Sequence, residues 1–151
     1  MIVSDSTTLI ILFDLERVEL LSNLFDEIYI PPSVYSEISV KREIELPAFI
    51  QVKEVEETSD LKLLRKLLDE GESEAIVLAK KMGLGIIIDE KKGRKVALNY
   101  GLKIIGLLGI VYLNTKRGYL SEESVMKFLD EALTHGYRIN TKLIDEMFKN
   151  L

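Results

Sequence analysis

Four carboxylates occupy positions from which a folded chain could bring chemistry together: Asp5, Glu37, Glu72 and Asp89. Asp5 closes the apolar run "MIVS" and Asp89 closes "GIII", so each stands where a buried strand gives way to a helix. Ligands of open α/β sheets bind beyond the carboxyl ends of the strands, and both aspartates are expected in that crevice. Serving as the N-cap of the next helix would account for either one alone. Glu72 opens "GESEAIVLAKKM", where helical phase puts Ala75, Ile76, Ala79 and Met82 on the buried stripe. Glu72 falls within that stripe and Glu74 lies almost opposite, as a solvated surface residue. A carboxylate on the buried side is costly unless a cation or donors meet it; a first-turn position also complements the helix dipole. Glu37, in "SVYSEIS", flanks the core-facing Val34 and Ile38, a placement that suits a surface salt bridge equally well.

The chain has no cysteine and one histidine, His135 near a helix end, so a metal could be held only by oxygen. That favours Mg2+ or Mn2+ over zinc. Such carboxylate sites perform phosphoryl or phosphodiester chemistry by fixing a water and neutralising a leaving oxygen. Ser6 and Thr7 can cap the helix after Asp5 and hydrogen-bond its carboxylate or a water, and Glu90 can support the cluster from behind. In "DEKKGRK", Lys91, Lys92, Arg94 and Lys95 crowd together next to Asp89. A charge run is usually a solvated face, but here it stands where a polyanionic substrate needs cations.

These residues require particular elements behind them. Strands are expected at Met1–Ser4, "EIYI", "FIQVKEV" (half-exposed, Phe49–Val55), "GIIID" and "LKIIG", and helices at Thr7–Leu15, Val18–Phe25, Ser33–Ser39, Leu61–Leu68, Glu72–Met82, about Lys91–Asn99 and Leu107–Thr115. Pro31-Pro32 stops a strand and suits a helix entrance. Two helices finish the chain from about 121 to 151, the first capped by Ser121. Short apolar strands alternating with helices give an α/β fold of three layers, α/β/α, with a mainly parallel sheet.

A length of 151 residues with 47% hydrophobic types suits one domain, 1–151, with its own core. No run approaches the roughly 20 apolar residues of a membrane span, and the start lacks the marks of a signal peptide. A soluble, cytoplasmic protein is expected. Without cysteine, disulfide scaffolds and thiolate metal sites are excluded. Abundant Lys, Glu and Ile with a single glutamine, Gln51, lean toward a thermophilic source. The net charge of −5 argues against nucleic-acid binding through bulk positive charge, so such a partner needs a local basic patch. Other acidic phosphotransfer families fit less well. A haloacid-dehalogenase pattern needs an aspartate where Thr7 stands, a Toprim pattern needs Asp-x-Asp where "IDEKK" stands, and "GLLG" lacks the lysine and hydroxyl of a phosphate loop.

Taken together and in order, "VSDST", "PPSVYSEI", "LDEGESEAIVLA", "IIIDEKKGRKVA" and "GLKIIGLLGIV" resemble the PIN domain over nearly the whole chain, closest to a prokaryotic subgroup related to VapC-type toxins. The resemblance implies a five-stranded parallel sheet and a ribonuclease dependent on magnesium or manganese. It also implies a homodimer and, often, a neutralising antitoxin protein. Asp5, Glu37 and Glu72 match the family's three metal-binding acids and Asp89 the more variable fourth. Most of the family has Asp as the third acid, whereas this chain has Glu72 with Glu74 two residues on.

Two functions therefore compete. In one, the chain is an endoribonuclease, alternatively the toxin of a toxin–antitoxin pair, in which Asp5, Glu37, Glu72 and Asp89 hold the metal and Arg94 with nearby lysines holds the RNA backbone. In the other, it is a catalytically inactive PIN-like module that binds RNA or a protein.

Overall fold

Successive side chains of a strand leave opposite faces of its sheet, and the inner strands here carry an apolar residue at nearly every step. Ile2, Ile28, Ile30 and Ile87 enter one core, while Val3, Tyr29, Ile86 and Ile88 enter another. Strands buried on both faces need helices on both, and the chain supplies them.

The computed structural model describes residues 1–40 and 43–149. In order these form β1 (Ile2–Ser4), α1 (Ser6–Asp14), α2 (Glu19–Ser22), β2 (Ile28–Ile30), α3 (Pro32–Ser39), β3 (Ile50–Val52), α4 (Ser59–Arg65) and α5 (Glu70–Met82). There follow β4 (Ile86–Ile87), α6 (Lys91–Asn99), β5 (Ile104–Ile105), α7 (Leu107–Lys116), α8 (Glu122–Thr134) and α9 (Thr141–Lys149). The five strands form one parallel sheet in the order β3-β2-β1-β4-β5. Helices α1, α2, α3, α7, α8 and α9 contribute to the core on one face, and α4, α5 and α6 to the core on the other. This is the three-layer α/β arrangement that the alternation of elements requires.

The differences from the sequence reading lie at element ends. The strand expected over Phe49–Val55 contracts to Ile50–Val52, because β3 is an edge strand with only Ile50 buried. The helix expected over Leu61–Leu68 is α4, which starts two residues earlier, capped by Thr58, and stops at Arg65. Helix α5 starts at Glu70 because the Asp69 side chain accepts from the Glu72 N–H (2.8 Å). The segment Val18–Phe25 keeps only one helical turn, Glu19–Ser22. Ser121 caps α8 as expected, accepting from the Ser124 N–H (3.1 Å).

Apolar residues of α7, α8 and α9 are largely buried within the chain. Ile110, Val111, Val125, Phe128, Leu129 and Met147 are buried in the first core, while Leu143 remains exposed. Among the described residues no helix is long and apolar enough to cross a membrane.

Candidate active site

The central strand delivers Asp5. Its backbone N–H donates to Ile87 O (2.9 Å) of β4, which fixes the residue at the carboxyl edge of the sheet. Asp5 takes the N-cap position of α1 in extended conformation, yet its side chain makes no capping bond to that helix. The adjoining Ser6 N–H favours the ionised form of the carboxyl. The residue is 4% exposed, and its Oδ1 is buried without a hydrogen-bond partner.

Glu72 approaches from α5 in the same condition. It is 4% exposed, and Oε2 is buried and unpartnered. Two glycines make the approach possible. A Cβ on Gly93 of α6 would run into Glu72 Oε2 and lie 2.7 Å from Ile88 Cδ1. A Cβ on Gly71 would lie 3.1 Å from Glu37 Oε2 and 3.4 Å from Asp5 Oδ1, so the bare backbone there leaves a gap that both carboxylates border. Glu37 itself is an exposed residue near the end of α3.

Burial and nearby negative charge raise the proton affinity of Asp5 and Glu72. Burial is the main reason that the Asp5 carboxyl is pushed up to about 7; the Ser6 N–H opposes the shift, and the charges of Asp69, Glu37 and Glu90 add to it. Burial likewise leads for Glu72, pushed up to about 8, with Asp69, Asp5 and Glu90 contributing. A divalent cation would remove both penalties. Among the described residues no three carboxylates are close enough as they stand to hold an ion. The two buried, unpartnered oxygens and the oxygen-only donor set nevertheless fit a hard cation, with Glu37 at the exposed side.

Asp89 behaves differently. Asp5 shares strand parity with Val3, which enters the α5 side, whereas Asp89 shares parity with Ile87, which enters the other core. Asp89 Oδ1 accordingly accepts from Leu107 N (2.9 Å) at the start of α7, and Oδ2 accepts from the Thr8 hydroxyl of α1. The expectation that Asp5 and Asp89 point together is corrected by this half-turn of strand phase. Both end adjacent strands, but Asp89 clamps two helices.

A family model described as a PIN domain matches residues 1–151. The chain belongs to the PIN-domain family. No curated protein matches it. PIN domains are in general nucleases that typically use divalent metals, and the five-stranded parallel sheet is that of the family.

Several neighbours of this PIN-domain edge differ from the sequence reading. Thr7 is exposed, and the α1 hydroxyl that engages a carboxylate is that of Thr8, which donates to Asp89 and not to Asp5. Glu74 is half-buried rather than solvated; its Oε1 accepts from Ser33 N (3.1 Å) and Ser33 Oγ (2.6 Å), tying α5 to the helix that carries Glu37. Glu90, exposed at the N-cap of α6, reaches Asp5 and Glu72 through its charge. Lys91, Lys92 and Lys95 are exposed on α6, while Arg94 is half-buried and turned toward Gly106 and Asp89. Asp69 was missed. Its signal was the Asp-x-x-Glu spacing Asp69–Glu72, which marks a helix N-cap.

Proposed function

We propose that this PIN-domain chain is a metal-dependent endoribonuclease that hydrolyses RNA phosphodiester bonds. The observation that carries the reading is the pair of buried, unpartnered oxygens, Asp5 Oδ1 and Glu72 Oε2, at the carboxyl edge of the sheet. Asp5, Glu72 and Glu37 would hold Mg2+ or Mn2+, with Asp89 joining only if its hold on Thr8 and Leu107 loosens. When bound, the metal supplies a Lewis acid that promotes ionisation of a water and neutralises charge on the leaving oxygen.

The protein's own part is to keep that edge acidic and fixed. The Ser6 N–H favours the charged form of Asp5, and the Asp69 cap holds the first turn of α5 through the Glu72 N–H, which fixes where the Glu72 side chain leaves the backbone. Glu74 holds α3 through Ser33 and thereby keeps Glu37 beside Gly71. Lys91, Lys92, Arg94 and Lys95 offer the local cations that capture of a polyanion requires in a chain of net charge −5. The occupied state of Asp89 favours the competing reading, a PIN-like module that binds RNA or a protein without cutting.

A panel of single-stranded RNAs, incubated with and without manganese, separates the two readings. Cleavage only with the metal supports the nuclease; binding without cleavage on every RNA and DNA, after any co-purifying inhibitor is stripped, supports the module. The VapC-like toxin role, a cytoplasmic site of action, a homodimer and a protein antitoxin belong to the same proposal. A monomeric mass by light scattering would remove the dimer from it.

A further inference from the structure

A cavity of about 600 Å3 opens beside the acid edge, between the end of β5, the first turns of α7, and α9 with the loop before it. Thr7 and Asp89 stand on its rim, but Asp5, Glu37 and Glu72 do not line it. Its volume is that of an ordinary small-ligand site. The walls are apolar, from Ile11, Ile105, Leu108 and Met147, with the ring of Tyr112 among them. Polar residues interrupt them: Arg94, Arg138 and Asn140, together with Thr7, Asp89 and Glu146. The Asn140 oxygen accepts from Lys142 N (2.9 Å) and Leu143 N (3.4 Å), which leaves its NH2 group for a ligand. The two acids in the lining are not free: Asp89 is held by Thr8 and Leu107, and Glu146 has a partner of its own.

We propose that this cleft is a nucleobase subsite, taking one unpaired base of a single-stranded RNA whose neighbouring phosphate lies at the acid edge. The inference rests on the nuclease reading and specifies its substrate. Apolar walls with an aromatic ring suit the faces of a base, and arginine and amide groups suit its edge or an adjoining phosphate. A purely apolar ligand would offer the half-buried Arg94 no partner. A base inside a duplex cannot enter a concave cleft, so the site selects single strands.

Fluorescence anisotropy with end-labelled homopolymers of adenylate, uridylate or cytidylate, in chelator so that no cleavage occurs, tests the subsite. The wild type is expected to bind them unequally. Leu143→Trp, which fills the mouth from an exposed position on the lining, and Arg138→Gln should each weaken the preferred strand about fivefold or more, the low end of what a stacked base contributes. Both should level the preference at an unchanged melting temperature. Equal binding of all homopolymers by the wild type, unchanged binding in both variants, or no binding at all overturns the subsite. Base preference that depends on the cleft, in a protein that cuts nothing with manganese, would sink the nuclease reading and keep the subsite. Metal-dependent cutting with binding indifferent to the cleft would sink the subsite alone.

Discussion

Asp5 and Glu72 hold protons well above the ordinary carboxylate range, and the consequence for stability has a definite sign. Between about pH 4 and pH 8 the folded chain binds more protons at these positions than the unfolded chain, whose carboxyls ionise near 3.8 and 4.5. Stability in chelator therefore falls as pH rises through that window, because protons are then lost on a cycle that favours the unfolded state. Asp5→Asn, which keeps an acceptor for the Ser6 N–H but carries no charge, should raise the melting temperature at pH 8 in chelator. A melting temperature that rises between pH 5 and pH 8 in the wild type would contradict the assignment of these shifts. The two glutamates of α5 should also separate. Glu72→Gln should abolish metal-dependent cleavage with the fold intact, while Glu74→Gln, whose amide oxygen can still accept from Ser33, should change cleavage little. Equal losses in the two variants, measured on the same RNA, would show that the helical phase assigned to Glu72 is wrong.

Helices and strands set which acids meet. Asp89 anchors the start of α7 and the middle of α1, so Asp89→Ala should cost about 1–3 kcal/mol by chemical denaturation, the expected cost of leaving buried donors unpaired. A change near zero would mean that the clamp contributes nothing and would free Asp89 for the metal. Asp69→Ala should cost about 1 kcal/mol through loss of an N-cap. Much at this scale was legible beforehand. Apolar runs broken by turns gave the strands, and the stripe of Ala75, Ile76 and Ala79 placed Glu72 inward correctly, although Met82 at its end is exposed. The phase between Asp5 and Asp89 was not legible, because it depends on the register that pairs Ser4 with Ile87, and strand pairing is not written in either segment alone. The roles of Gly71 and Gly93 were hidden for a related reason: a glycine inside a helix discloses its purpose only when the side chain that passes over it is known.

Over the whole molecule, the proposed nuclease requires an acidic chain to capture an acidic polymer. Net charge of −5 opposes encounter with RNA, and the basic residues of α6 oppose that repulsion only locally. Lower salt should therefore speed cleavage if Lys91, Lys92 and Lys95 hold phosphates, and a triple replacement of these lysines by glutamine should flatten the salt dependence measured on one RNA. The same acidity suits the proposed cation site, since a divalent ion there would relieve the repulsion among the edge carboxylates. Calorimetric titration of manganese at pH 8 into the wild type and into Asp5→Asn tests that claim most directly. The wild type should bind the ion with a rise in melting temperature and Asp5→Asn should not; absence of binding by the wild type at millimolar manganese, or equal binding by both proteins, would contradict the assignment of Asp5 as a metal ligand.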